Sequence, residues 1–261
     1  MEPLAIQIQE KDPLAAGATR DRELVRFIGR HGVVAMPHVM AELGVGRTAA
    51  YRRVAACIER GPLERLDLLR DEPSLLRATR AGLRYAGLGL RVAVVSPGSV
   101  DHWLRCASMA QLLAWEFGAG CILTEHELAL AEQIEGRPIA SARTGERPDG
   151  GPCLHRPDLA ALSEDRVIAV EVELTPKAPR RLEGLVRAWR RASWVAEVRY
   201  YCAPGATWRA VERAIRNTRA GDRVRAMKRD EGGGAVRHQH HLHHFSRHHH
   251  RLPRRSPSPN T

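Results

Sequence analysis

The chain has 261 residues, with 41 lysines and arginines against 30 aspartates and glutamates and a formal net charge of +11. That length accommodates one large domain or two small ones, each able to bury a core. The basic balance points to a polyanion such as nucleic acid or an anionic membrane and says nothing of fold; part of it comes from the segment after Met227, so the body is only moderately basic. The cysteines Cys57, Cys106, Cys121, Cys153 and Cys202 are scattered and never form a CxxC pair, which argues against a disulfide framework or a cysteine-rich zinc site and fits a reducing cytoplasm. No apolar run approaches the roughly 20 residues needed to cross a bilayer, and the polar N-terminus carries no signal-peptide core. A cytoplasmic protein with no membrane partner is expected.

Residues 1–20 lack periodicity and read as a flexible arm. From Asp21 the pattern is helical: "RDRELVRFIGRHG" puts Leu24, Val25, Phe27 and Ile28 on one face, with Asp21 as expected N-cap and Gly32 as stop. "MPHVMAELG" is a second helix, with Pro37 in its first turn and Gly44 at its end. "RTAAYRRVAACIERG" is a third, its inner positions being Ala50, Val54, Cys57 and Ile58. Two short extended segments around "RDEPS" then form a hairpin, and "ATRAGLRYAGL" closes the unit. Three helices with a tight turn before the third, followed by a hairpin, predict a winged helix-turn-helix over 21–90. The third helix would turn Arg47, Thr48, Tyr51, Arg52 and Arg53 toward double-stranded DNA, and the wing would add Arg65, Arg70 and Arg77. Such arginines suit phosphate and base-edge contacts; a protein-binding winged helix with merely solvated arginines is the alternative.

Residues 91–100, "RVAVVSPGSV", predict a connector with a short strand broken at Ser-Pro-Gly. A second unit spans 101–225. The helix "DHWLRCASMAQLLAWEFG" leads to a strand in "GCILTEHEL", a Gly- and Pro-rich loop over 136–154, and two strands, "CLHRPDLAAL" and "RVIAVEVEL", joined at "SEDR". The helix "PRRLEGLVRAWRRASWV", with Trp189 and Trp194 on its inner face, the strand "EVRYYCAP" and a last helix "TWRAVERAIRNTR" complete an αβββαβα order. The fold class is therefore α+β, with a mixed sheet flanked by helices. Residues 226–261 are His- and Arg-rich, without apolar periodicity, and predict a disordered tail. Its histidine tract suits nonspecific uptake of transition metals or reflects composition alone.

Strand alternation places Glu171 and Glu173 on one face with Ala169 and Thr175. If the flanking strands pair through "SEDR", Asp158 lies at the same sheet end, and three carboxylates there suit a hard divalent cation such as Mg²⁺. The "PD" followed by an acidic strand in this order resembles the PD-(D/E)xK nuclease fold. Together with the winged helix, "LTEHEL" and "RPD…EVELT.K…R", the chain from about 20 to 215 more narrowly resembles the replication-relaxation family, bacterial proteins of plasmids and mobile elements. The resemblance implies Asp158 as metal-binding aspartate and Glu171 as second acidic ligand. Its lysine position falls on Glu173, a departure, since a glutamate cannot orient the attacking water or stabilise transition-state charge as a lysine does. Lys177, Arg180 or Arg181 is the expected substitute, and Glu116, Glu125 or Glu127 the expected additional acidic group from upstream.

The alternative is that the paired glutamates simply meet arginines of the following helix, as a fold feature without chemistry. His31, His38, His102, His126 and His155 are isolated and read as structural, His155 alone falling close to the acidic cluster. The expected function is DNA binding for a plasmid or mobile element, in replication, relaxation, transfer or their control, with a nuclease-like unit that does not cleave. No cofactor is needed for that. Magnesium-dependent nicking by Asp158, Glu171, Glu173 and Lys177 is the alternative. Replication or conjugation proteins are further expected partners, and the oligomeric state stays open, with a dimer among the options.

Overall fold

The computed structural model describes residues 13–68 and 74–228. The protein is α+β with mixed sheets. Helix α1 (Pro13–His31) starts well before Asp21, so the segment expected to be a loose arm is helical from Pro13. Asp21 is therefore mid-helix, not a cap, and its carboxylate instead binds Arg53 at 2.7 Å and Arg60 at 2.6 Å. Residues 1–12 lie outside the described residues. Gly32 ends α1 at φ 71°, a left-handed conformation that glycine adopts without penalty.

Strand β1 (Val33–Val34), α2 (Met36–Leu43) and α3 (Arg47–Glu59) follow, then β2 (Leu63–Leu66), β3 (Leu75–Ala78) and α4 (Arg80–Tyr85). The three strands form one antiparallel sheet in the order β1-β3-β2. Leu24, Val25, Phe27 and Ile28 of α1 pack with Val39, Ala50, Val54 and Cys57 and with Leu63 and Leu76 of the hairpin, so the inner positions expected from helical spacing do form a core. Gly82 lets α4 close against the hairpin, because a Cβ there would sit 2.0 Å from the Pro62 carbonyl oxygen.

The expected connector strand does not form. Residues 91–95 run without strand pairing before a short turn at Pro97–Ser99. Next come α5 (Val100–Phe117), β4 (Ile122–Thr124), α6 (Glu125–Glu135), β5 (Ala142–Glu146), β6 (Pro152–His155), β7 (Leu159–Leu162), β8 (Val167–Glu173), α7 (Pro179–Arg191), β9 (Glu197–Cys202), α8 (Ala206–Thr218) and β10 (Val224–Lys228). The main sheet runs β10-β9-β8-β7-β4, and β5 and β6 make a separate hairpin. The structure differs from the expected order in three places. "LTEHEL" is mostly helix, since Thr124 and Glu127 form a reciprocal capping box that starts α6 straight after β4. The supposed loop contains the β5–β6 hairpin, and "CLHRPDLAAL" splits into β6 and β7 at Arg156-Pro157-Asp158. Residues 226–228, counted with the tail, belong to β10, which pairs in parallel with β9; the rest of the tail lies outside the described residues.

β7 and β8 pair antiparallel through Ser163–Arg166, as expected, and β8 pairs in parallel with β9. β8 is therefore central. Its Ile168, Val170 and Val172 pack under Met109, Ala110 and Leu113 of α5, while Ala169 joins the core beneath α7 and α8 around Leu182, Val186 and Trp189. Alternation sends Glu171 and Glu173 to the second side, where both are buried. Among the described residues no helix is long and apolar enough to cross a membrane.

Candidate functional site

The C-terminal end of β8 opens into a cavity of about 530 Å³, the position at which α/β sheets commonly bind ligands. Asp158, Glu171, Glu173 and Lys177, all expected at one site, line it together with His102, Glu125, His155 and Arg156. Among the described residues no arginine of α7 lines it, so the expected alternative, glutamates neutralised by that helix, does not occur. Arg180 and Arg181 are exposed.

Each carboxylate is positioned by a different element. Asp158 sits between β6 and β7; its Oδ2 accepts the Val172 backbone N–H at 2.6 Å, while its carbonyl accepts the Glu125 N–H at 3.0 Å. Its Oδ1 lies 3.1 Å from Nε2 of His102 on α5. Glu171 Oε1 lies 2.7 Å from Nε2 of His155 at the end of β6. Lys177, in the turn after β8, donates to Glu173. A lysine thus reaches the site from four residues beyond the strand position that Glu173 occupies.

The electrostatics follow from burial and pairing. Burial pushes the Glu171 carboxyl upward and Asp158 adds repulsion, against the His155 hydrogen bond and charge and the Lys177 charge. Burial opposes protonation of His155, but the bond to Glu171 and that carboxylate's charge outweigh it and raise the ring. The two groups therefore hold a proton as a unit. His102 is raised chiefly by its hydrogen bond to Asp158, with burial opposing. One turn further along α5, Cys106 Sγ lies 3.5 Å from His102 Nε2, and burial, then the charges of Asp158, Glu125 and Glu171, drive its thiol well above the ordinary value.

Other expected site residues lie elsewhere. Glu116 binds Arg199 at 2.9 Å; fourteen residues along α5 from His102, it is about 21 Å away at 1.5 Å per residue. Glu127 caps α6 and pairs with Arg30 at 2.6 Å. His102 and His155 belong to the site, so their reading as isolated structural residues is corrected. The other three are structural: His31 is buried against Phe27, His38 sits 3.1 Å from the Leu104 carbonyl and 3.0 Å from Ser108 Oγ, and His126 stacks on Trp103. Trp189 is fully buried and meets His155 edge to face. Trp194 lies past the end of α7, partly exposed, and donates to the Ser141 carbonyl at 3.1 Å.

On α3, Arg47, Thr48 and Arg52 are exposed, and the Arg47 guanidinium lies 5.4 Å from the Tyr51 ring centroid. Arg65 is exposed on β2. Arg53 is held by Asp21, and Arg77 by Glu64 and the Ala93 carbonyl, so these two tie the unit together rather than facing outward. Arg70 lies outside the described residues. No family model matches the chain, and neither a curated protein nor a solved structure shows significant similarity to it.

Proposed function

We propose that this protein binds double-stranded DNA through a winged helix-turn-helix spanning about 21–90 and serves a plasmid or mobile element in replication, relaxation, transfer or their control. The observation that carries the DNA reading is the outer face of α3, where Arg47, Thr48 and Arg52 stand exposed while Arg53, on the same helix, is engaged internally. Two exposed guanidinium groups with no ion pair among the described residues, beside a β-hairpin, fit a helix laid in the major groove. The role in a mobile element rests on the family resemblance. The test is duplex binding over a salt series. Arg47→Ala combined with Arg52→Ala is expected to weaken binding at least tenfold and to flatten the slope of log K against log salt by about 1.8, at about 0.9 per phosphate contact. An unchanged affinity and slope overturn the reading.

A second reading, metal-dependent phosphodiester hydrolysis by the unit at 101–225, is favoured by one observation: Asp158, Glu171, Glu173 and Lys177 line one open cavity. Asp158 and Glu171 would hold Mg²⁺, a fit supported by their all-oxygen donor set, with Glu171 buried and Asp158 partly open to the cavity. Bound there, the ion would supply charge to a phosphate and acidify a water. Lys177 would supply the fixed positive charge that Glu173 cannot. Supercoiled plasmid with Mg²⁺ or Mn²⁺ is the assay: nicking abolished by Asp158→Asn supports this reading, and absence of nicking with both metals removes it.

A further inference from the structure

The wall of the cavity formed by α5 has a chemistry that an all-oxygen magnesium site does not use. His102 and Cys106 are one helical turn apart, so their side chains stack on one stripe of α5. Asp158 faces that stripe from the opposite side. Nε2 of His102, Sγ of Cys106 and a carboxylate oxygen of Asp158 all lie within 4.8 Å of one another. We propose that His102, Cys106 and Asp158 form a binding site for a zinc-class divalent cation, with its fourth coordination position open to the cavity.

Three features support this. The first is distance. With metal bonds of about 2.0–2.1 Å to nitrogen, 2.0–2.2 Å to oxygen and 2.3 Å to sulfur, a tetrahedral zinc separates its nitrogen and oxygen ligands by about 3.4 Å and its nitrogen and sulfur ligands by about 3.6 Å. The protein places His102 Nε2 at 3.1 Å from Asp158 Oδ1 and at 3.5 Å from Cys106 Sγ. These two separations lie within a few tenths of an ångström of the required ones, and the third pair, Cys106 Sγ and the Asp158 oxygen, lies within 4.8 Å and must close toward about 3.6 Å on binding. The second is orientation. The Val172 N–H holds Asp158 Oδ2, which fixes the carboxylate and leaves Oδ1 turned to the helix, the supporting contact that metal ligands generally need. The third is ligand type. One imidazole, one thiol and one carboxylate are a donor set for zinc-like ions, because sulfur and imidazole disfavour magnesium and calcium. His102 and Asp158 also line the cavity, so a water or a substrate oxygen would complete the shell, as in zinc sites that perform chemistry.

Binding replaces the Cys106 S–H bond with a metal–sulfur bond and releases that proton to solvent, while the His102 Nε2 proton, which bonds Asp158 in the free protein, moves to Nδ1 or to solvent so that Nε2 can ligate. The proposal does not depend on the hydrolytic reading, which stands or falls on nicking.

Cobalt(II) titration of the full-length protein tests it, since thiolate-to-cobalt charge transfer gives an absorption band that histidine and carboxylate ligands alone do not. The His-rich segment after residue 228 contains no cysteine, so it cannot supply this band. The expected result is a thiolate band that saturates, disappears in Cys106→Ala, is displaced by Zn²⁺, and needs at least tenfold more cobalt in His102→Ala. Asp158→Asn, which keeps shape and the carbonyl acceptor for Val172, should show the same weakening and serves if the cysteine variant fails to fold. No thiolate band in the wild type, a band that survives Cys106→Ala, or cobalt affinity unchanged in both His102→Ala and Asp158→Asn overturns the proposal.

Discussion

Two regions of the second unit bury a glutamate to similar depth and treat it in opposite ways. Glu132, 4 % exposed, receives the backbone N–H groups of Ile139 at 3.0 Å, Ala140 at 3.3 Å and Ser141 at 3.0 Å and the Ser141 hydroxyl at 2.7 Å, and the Arg156 guanidinium lies 3.3 Å away as an ion pair without hydrogen-bond geometry. Glu171, 3 % exposed, meets one histidine and has a second carboxylate, Asp158, close enough to repel it. Burial alone does not distinguish structural from chemical carboxylates. Glu132 is saturated and closes the turn between α6 and β5, whereas Glu171 keeps unused acceptor capacity at the wall of a cavity. A buried charge left short of partners is the one with room for a ligand.

The largest effect should come from the saturated site. Glu132→Ala strands three backbone donors and one guanidinium, and is expected to cost about 3–5 kcal/mol, read as a fall in the urea midpoint. If the loss is under about 1 kcal/mol, the contrast collapses. A third buried group, in the first unit, sharpens it from the acid side. His31 is lowered to about 3, by burial first and then by Arg30 and His38. The unfolded chain takes up this proton near 6.5 and the folded one does not. The contribution is therefore fully present above pH 6.5 and is lost as pH falls toward 3, a few kcal/mol in all. Comparing urea midpoints at pH 7 and pH 4, His31→Leu should lose less stability on acidification than the wild type; equal losses would remove His31 as the cause. The smallest effect is expected at the cavity. Glu171→Gln removes a charge held up by burial and repulsion, so the urea midpoint should shift by under about 1 kcal/mol or rise. A loss as large as that of Glu132→Ala would show that Glu171 is structural after all.

One side of this contrast, the cluster at Glu171, was legible in the sequence; Glu132 was not. Strand alternation put Glu171 and Glu173 on one face, and the "SEDR" turn brought Asp158 beside them, because a period of two and a short antiparallel connection leave little freedom. Helical spacing gave the first unit's core from Leu24 to Cys57. Other parts were hidden for physical reasons. His102 and Cys106 are four apart on a helix whose apolar face already explains it, and their partner Asp158 is more than fifty residues away in the chain. The start of α6 rested on the capping box at Thr124 and Glu127, a local signal that the apolar "CIL" before it masked. β5 and β6 carry too much glycine and proline for alternation to show, and β10 is an edge strand whose pairing with β9 is a tertiary fact. Arg53 and Arg77 looked like Arg52 and Arg65 because sequence does not reveal which arginine meets an acid across the fold.

Helix α5 carries one consequence that spans both units. His102 and Cys106 lie on one stripe, and Leu104 and Ser108, the residues His38 touches, are each two positions further on, about 200° round the axis. One rigid rod therefore borders the cavity on one flank and is gripped by the first unit, through His38, on the other. Were the proposed cation and the proposed DNA both to bind, thermodynamic linkage would fix the relation between them: the factor by which the cation alters DNA affinity equals the factor by which DNA alters cation affinity. Salt-matched titrations run in either order must return the same number, even if that number is one.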